Sequence, residues 1–141
     1  MAQTLLVQDV MTRTPLTIDV GSSVAQARRA MKERQVRHLP VLDEGELVGL
    51  VEDRGLDALE AHAGLDTSDL PLSEAMTRAP FTVSPATPLE VAVRHMAHHR
   101  LTSAVVVERE KVVGLLTSND GLRALAMVLA ESRAAAPQLG H

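Results

Sequence analysis

Three histidines lie close together in the second half of the chain, at a spacing that a metal site could use. His95, His98 and His99 follow the pattern i, i+3 and i+4, so a helix would bring two imidazoles to one side. No spacing fixes an acidic ligand beside them, and the chain contains no cysteine. On the helix predicted here, they lie opposite the apolar stripe. A solvated or dimer-contacting face therefore explains them without a metal, and no metal site is expected.

Basic and titratable residues also accompany the first predicted helix. Its basic residues are Arg28, Arg29, Lys32 and Arg34. They could contact a polyanion, but a solvated face balanced by nearby glutamates is the default interpretation. His38 follows Arg37 and precedes an apolar run. It could titrate near neutral pH beside a cleft, or simply be satisfied at the start of a strand.

The composition of the chain argues against several classes of function. The net charge is −4 and one Phe is the only aromatic residue, so neither phosphate attraction nor base stacking favours nucleic-acid binding. No run approaches the roughly 18 apolar residues of a membrane helix, so we expect a soluble, cytoplasmic protein without membrane contact. The sequence motifs of hydrolases, zinc proteases, phosphate loops and dinucleotide-binding folds are absent, so an enzyme is not expected.

An internal repeat organises the chain. Residues 10–18 return as residues 75–83, at an offset of 65 that continues without a gap to residues 48–50 and 113–115. Beyond this point, residues 55–59 match residues 121–125 at an offset of 66, as if the first copy were one residue short. A copy of about 50 residues without a disulfide or metal has too small a core to fold alone. The predicted boundaries are 1–62 for repeat one, 63–71 for a linker, 72–133 for repeat two and 134–141 for a flexible tail.

Each copy is predicted to contain a strand, a helix, two strands and a closing helix. The expected fold class is therefore α/β (α+β), with two β-α-β-β-α repeats packed about a pseudo-two-fold axis that creates two related clefts. Ser22 and Thr87 are the predicted caps of the first helix in each copy, and Glu90 would complete a capping box with Thr87. The closing helices are predicted to begin near Arg54 and Asp120.

These features resemble the CBS-domain family, in which a tandem pair (a Bateman module) forms a ligand-sensing unit. The motifs are Val10-Met11-Thr12, Pro15-Leu16-Thr17-Ile18, His38-Leu39-Pro40-Val41-Leu42-Asp43 and Gly49-Leu50-Val51, then Met76-Thr77, Pro80-Phe81-Thr82-Val83 and Gly114-Leu115-Leu116-Thr117-Ser118-Asn119-Asp120. The resemblance implies an adenosine-type ligand in the clefts, with no cofactor required. AMP, ADP and ATP are the candidates, ahead of S-adenosylmethionine and NAD. It also implies a homodimer, assembled through the helices of both copies, that regulates a protein partner.

The resemblance also assigns residues to one of the two clefts. Thr117 and Asp120 would hold the ribose, because a carboxylate can accept charge-assisted hydrogen bonds from two vicinal hydroxyls. The alternative is that Asp120 only caps its helix or stabilises the first turn. The other residues implied for this cleft are Thr14, Ile18, Asp19, Val36 and Arg37 from the first copy, and Thr102, Ser103 and Asn119 from the second.

The equivalent cleft departs from the family pattern. Glu52 takes the place of the Thr or Ser, Gly55 that of the Asp, and Ala79 that of Thr14. We therefore expect one competent cleft and one degraded cleft in each chain; the alternative is that Asp53 replaces the missing carboxylate after a shift of the loop. Two functions remain open on this basis: a ligand-sensing regulator, and a dimerising scaffold whose clefts are vestigial.

Overall fold

The strands of this protein form two four-stranded sheets, in a computed structural model that describes residues 4–63 and 66–135. The strands are β1 (Thr12–Arg13), β2 (Ile18–Asp19), β3 (His38–Asp43), β4 (Glu46–Glu52), β5 (Thr77–Arg78), β6 (Thr82–Val83), β7 (Ser103–Glu108) and β8 (Lys111–Thr117). The helices are α1 (Val7–Val10), α2 (Val24–Arg34), α3 (Asp53–Ala63), α4 (Leu89–His99) and α5 (Ser118–Ala135), with a 3-10 helix at Leu72–Glu74. The predicted α+β arrangement of two β-α-β-β-α repeats is confirmed.

The two copies exchange their first strands. One sheet has the order β2-β3-β4-β5 and the other β1-β8-β7-β6, so that β1 and β5 each join the sheet of the other copy. Thr12 pairs with Leu115, and Thr77 pairs with Leu50, which is the same register shifted by 65 residues. The sequence predicted one opening strand per copy, but the structure divides it in two. A positive φ at Thr14 turns the chain between β1 and β2, and Ala79 does the same in the second copy.

A glycine in each long strand makes the exchange possible. A Cβ atom built on Gly114 would lie 2.5 Å from the Sδ atom of Met11 and 3.1 Å from the carbonyl oxygen of Thr12. Gly49 has the same relation to Met76 and to the carbonyl oxygen of Thr77. The Val-Gly-Leu motif of each copy therefore accommodates the Met-Thr motif of the other copy, because only a residue without Cβ permits this close approach.

Each hydrophobic core is completed by the other copy. The core of the first copy, around Leu39 and Val51, includes Leu72, which precedes β5. The core of the second copy includes Val7 from α1, which is fully buried. A third cluster, Leu50, Val105 and Leu115, lies between the two sheets. Each copy alone would lose core residues, and the expectation that neither copy folds alone stays a prediction.

The predicted caps of α2 and α4 need correction. Ser23, not Ser22, caps α2, where its Oγ accepts a hydrogen bond from the backbone N–H of Gln26 at 3.2 Å. Thr87 does not cap α4: its Oγ1 accepts from the backbone N–H of Ser84, and Pro88 takes the cap position. The capping box predicted with Glu90 is therefore wrong, because a proline at the cap has no side-chain oxygen to accept from the helix.

The expected one-residue gap before the closing helices is also wrong. β4 ends at Glu52 and β8 ends at Thr117, so α3 and α5 begin at the same offset of 65. Leu56 is fully buried, whereas Leu122, its partner at offset 66, is 63% exposed. At the correct offset Leu122 corresponds to Asp57, an exposed carboxylate. The shared Gly-Leu pattern is therefore a coincidence of sequence and not a structural equivalence.

The segment between the copies and the end of the chain complete the described structure. The carbonyls of Ser68 and Leu70 accept hydrogen bonds at 3.0 Å from the first N–H groups of α2, so these residues pack against the first copy. Gly64 and Leu65 of the expected linker lie outside the described residues, as does 136–141 of the expected tail; α5 continues to Ala135. Within 4–63 and 66–135, no helix is long and apolar enough to cross a bilayer.

Candidate functional site

A cavity of about 660 Å³ lies between the two copies, a volume within the range of small-molecule sites. The first copy contributes the turn after β1, the segment between α2 and β3, and the junction of β4 with α3. The second copy contributes the residue before β7, the end of β8 and the first turn of α5. The lining residues are Thr12, Pro15, Leu16, Gln35, Val36, Arg37, His38, Glu52, Arg54, Thr102, Leu115, Thr117, Ser118, Asn119, Asp120 and Arg123.

The structure brings together most of the residues expected in the competent cleft. Those that line the cavity are Val36, Arg37, Thr102, Thr117, Asn119 and Asp120. They come from both copies, and the cavity includes the first-copy turn that contains Thr14 but not its Ala79 equivalent.

Four expected residues do not line this cavity. Thr14 is exposed and its backbone N–H donates to Val113. The side chain of Ile18 packs against the core of the first copy, and the Oδ2 atom of Asp19 accepts from the backbone N–H of Gly21 at 2.8 Å. Ser103 is buried, with its Oγ lacking a hydrogen-bond partner among the described residues. The alternation of side chains along a strand explains Ser103, which faces inward while Thr102 before it faces the cavity.

Asp120 is held by a reciprocal pair of hydrogen bonds with Thr117. Its Oδ2 accepts from the backbone N–H of Thr117 at 2.9 Å, and the Oγ1 of Thr117 accepts from the backbone N–H of Asp120 at 3.2 Å. Its Oδ1 accepts from the guanidinium of Arg123 at 2.8 Å. The side chain of Asp120 is 5% exposed, whereas that of Arg123 is 68% exposed. The carboxylate therefore stabilises the start of α5, and its remaining lone pairs can still accept from a ligand.

A hydrogen-bonded chain crosses the cavity from one copy to the other. The Oγ1 of Thr102 donates to Oε2 of Glu52 at 3.2 Å and lies 3.1 Å from Nε2 of His38. Because the hydroxyl proton of Thr102 points to the carboxylate, Nε2 of His38 must carry the proton that it donates to Thr102. Burial lowers the pKa of His38 and the charge of Arg37 lowers it further, while Glu52 and Asp120 act to raise it.

Sequence reasoning missed several lining residues and misplaced one. Glu52 was assigned to the degraded cleft, yet its carboxylate lies in the same cavity as Asp120. His38 was not among the expected site residues, although it pairs with Glu52 across β3 and β4. The equivalent pair in the second copy is Ser103 and Thr117. This pairing could have been inferred, because two strands joined by a short turn place their outer ends side by side.

The charges that line the cavity differ in their state of pairing. The carboxylate of Asp120 is paired with Arg123, and that of Glu52 is hydrogen-bonded to Thr102. In the described part of the chain, neither Arg37 nor Arg54 forms an ion pair. Two guanidinium groups are therefore available to an anion that enters the cavity.

The histidine cluster of α4 lies outside this cavity. The ring of His95 stacks on Phe81 with 4.0 Å between centroids, and His99 lies 4.3 Å from His95. His98 meets His99 edge to face. Among the residues that the structure describes, no group of three or more His, Cys, Asp or Glu side chains is placed to hold a metal ion.

Comparison with known families and curated proteins gives consistent matches over most of the chain. The model of the CBS domain matches twice, at residues 7–58 and 72–127. CBS domain-containing protein YhcV of Bacillus subtilis (strain 168) is 29% identical over 114 residues, which are 81% of each chain. Curated enzymes match as well, homoserine O-acetyltransferases among them, but the chain spans only 22–23% of their length.

Two solved structures with bound ligands are similar over most of their length. The CBS domain pair of protein MJ0100, in complex with 5′-methylthioadenosine and S-adenosyl-L-methionine, has a TM-score of 0.80 and 25% identity, and the match covers 88% of this chain and 98% of that one. CBSX2 in complex with AMP has a TM-score of 0.75 and 29% identity, with coverage of 87% and 97%.

Proposed function

Because the chain belongs to the CBS-domain family and is a pair of such domains, we propose that it is a cytoplasmic regulatory module rather than an enzyme. It binds an adenosine-containing nucleotide in the cavity between the two copies, and its occupancy is read by a protein partner. The candidate ligands are AMP, ADP and ATP, ahead of S-adenosylmethionine and NAD. The enzymes that match this chain support a regulatory role, since the similarity covers only a small part of them.

The arrangement of Thr117 and Asp120 in the cavity carries this proposal. The carboxylate of Asp120 accepts from two ribose hydroxyls while it keeps the hydrogen bond from the backbone of Thr117. Arg123 is mostly exposed, so its guanidinium can leave Oδ1 at little cost when the ribose arrives. Val36 borders the adenine, and the phosphates lie near Thr102 and Asn119. Ligands of similar proteins, AMP in CBSX2 and two adenosine compounds in MJ0100, support this class.

The proposal predicts one ligand per chain. The pseudo-two-fold equivalents of Thr117 and Asp120 are Glu52 and Gly55, and neither offers the same hydrogen bonds to a ribose. Isothermal titration calorimetry with AMP, ADP, ATP, S-adenosylmethionine and NAD tests this directly. We expect a stoichiometry of one for at least one of these compounds. Binding of none of them, or two equal sites per chain, would contradict the proposal.

The second candidate function, a dimerising scaffold, rests on an exposed apolar surface. The large apolar side chains that are most exposed are Val91, Leu122, Leu125, Met127, Val128 and Leu129. All of them lie on α4 and α5, and Leu122, Leu125 and Leu129 follow the spacing i, i+3 and i+7 on one side of α5. We propose that this surface forms a homodimer, which serves the sensing module and the scaffold alike.

The proposed dimer uses the helices of the second copy and not, as the sequence suggested, those of both copies. On α3, Asp57 and Glu60 occupy the positions that Leu122 and Leu125 occupy on α5. Both carboxylates bind Arg28 on α2, at 2.9 and 3.0 Å. These carboxylates of the first copy are therefore already paired with Arg28, and the surface they form has little apolar area to bury in an interface.

A further inference from the structure

The charges around His38 indicate which form of the ligand the cavity prefers. His38 lies between the two copies and donates from Nε2 to Thr102, which in turn donates to Glu52. The second ring nitrogen, Nδ1, carries no proton when the imidazole is neutral. A proton taken up there would add a positive charge to a cavity that already contains two unpaired guanidinium groups.

We propose that the cavity selects an anionic adenosine ligand and takes up a proton at His38 when that ligand binds. This inference rests on the proposed function and specifies the charge of the ligand and its dependence on pH. An uncharged adenosine compound would fill the same ribose and adenine positions, but it would bring no charge to favour the imidazolium.

The groups that face His38 explain why its charge depends on the ligand. Glu52 on β4 and Asp120 on α5 favour the imidazolium, but both carboxylates already accept hydrogen bonds. Arg37 disfavours the imidazolium, and the guanidinium groups of Arg54 and Arg123 line the same cavity. Burial acts in the same direction as Arg37 and is the largest cause of the lowered pKa, so His38 is mostly neutral at pH 7 when no ligand is bound.

An anion bound by Arg37 and Arg54 reverses this balance. Its negative charge offsets the effect of the Arg37 guanidinium on His38 and adds a favourable interaction with the imidazolium. The pKa of His38 therefore rises on binding, and by linkage the affinity for the anion rises as the pH falls. A rise of one pKa unit corresponds to a gain of up to about tenfold in affinity.

AMP and adenosine form a matched pair of probes, because they differ only in the phosphate. Calorimetry of wild type and His38→Gln at several pH values, in buffers of different ionisation enthalpy, gives the number of protons taken up on binding. The glutamine side chain can still donate to Thr102 but cannot take up a proton. Because a phosphate monoester itself titrates near pH 6, the informative quantity is the difference in uptake between the two proteins.

We expect wild type to take up more protons than His38→Gln when AMP binds, and no difference when adenosine binds. NMR titration of wild type gives the same information without a variant: AMP should move the titration of His38 to higher pH, and adenosine should not. Equal uptake by the two proteins, or a His38 titration that AMP leaves unchanged, would overturn the inference while leaving nucleotide binding intact. If neither AMP nor adenosine binds wild type, the proposed function and this inference fail together.

Discussion

Glu52 and Thr117 occupy equivalent positions at the ends of β4 and β8, and both side chains line the same cavity. The pseudo-two-fold axis therefore brings a carboxylate from one copy and a hydroxyl from the other to a single site. The first copy does not simply lose its own cleft, because its altered residue contributes to the cleft of the second. The difference in sequence between the two copies thus gives this one site two different side chains at equivalent positions.

The substitution Asp120→Asn separates the two roles of the Asp120 carboxylate, which are to bind the ribose and to stabilise the start of α5. The amide oxygen can still accept from the backbone N–H of Thr117, so the start of α5 is kept. The negative charge and one acceptor are lost, which should weaken binding of an adenosine ligand by about 1.5–3 kcal/mol, or roughly 10- to 150-fold. Calorimetry measures the affinity, and thermal unfolding checks that the variant remains folded.

Asp120→Ala provides the control for the structural role. It removes the carboxylate that accepts from the backbone N–H of Thr117, while the backbone N–H of residue 120 can still donate to Oγ1 of Thr117. The loss should cost about 0.5–2 kcal/mol of unfolding free energy in addition to the loss of affinity. An Asp120→Asn protein that binds as tightly as wild type would show that Asp120 only caps the helix.

Two glycines should respond in opposite ways to the same substitution. Gly114→Ala places a Cβ against Met11 and the carbonyl of Thr12, so overpacking should cost about 1–3 kcal/mol of unfolding free energy. Gly55→Ala, in the first turn of α3, has no atom within 4 Å of the new Cβ and should stabilise by about 0.5–1 kcal/mol. Denaturant unfolding measures both, and a loss of stability at Gly114 no larger than at Gly55 would contradict the close approach of the exchanged strand.

The repeat in the sequence predicted the order of the elements, but not the exchange of β1 and β5. Strands of two residues have no periodicity. The turn at Thr14 is followed by Pro15, and a single proline does not predict such a turn. Residues 55–59 and 121–125 are identical at four of five positions, yet they are not structurally equivalent, because Leu56 is buried in a core while Leu122 is exposed on the surface. Similar residues in two copies do not imply similar surroundings.

The site was predictable where the backbone alone determines it. The residues at the end of β8 and the start of α5 follow from the strand and helix boundaries, which the sequence indicated within two residues. The inclusion of Glu52 and His38 depends on how the two sheets pack across Leu50 and Leu115. That packing angle is a tertiary property, and a hydrophobic pattern contains no information on it.

The stability of the protein should depend on pH through His38. Its pKa is lowered in the folded state from the ordinary value of 6.5, so below this pH the unfolded chain binds more protons than the folded one. The free energy of unfolding should therefore fall as the pH decreases through 6.5 towards the folded-state pKa. Denaturant unfolding at pH 7.5 and 5.5 should show a smaller fall for His38→Gln than for wild type. An equal fall in the two proteins would show that His38 does not titrate differently on folding.

The last prediction concerns the exposed surface of α5, where Leu125→Glu should prevent dimerisation. In a symmetric dimer each protomer buries its own Leu125, so the substitution removes two apolar side chains and introduces two charges. Burial of a leucine contributes about 1.5–3 kcal/mol, so the dissociation constant should rise by at least about 100-fold. Ala58→Glu adds the same charge to the exposed face of α3 and should leave the dimer intact. Light scattering at tens of micromolar should give the dimer mass for wild type and Ala58→Glu, and the monomer mass for Leu125→Glu. A monomeric wild type would refute the proposed dimer, and dissociation by Ala58→Glu alone would place the interface on the first copy.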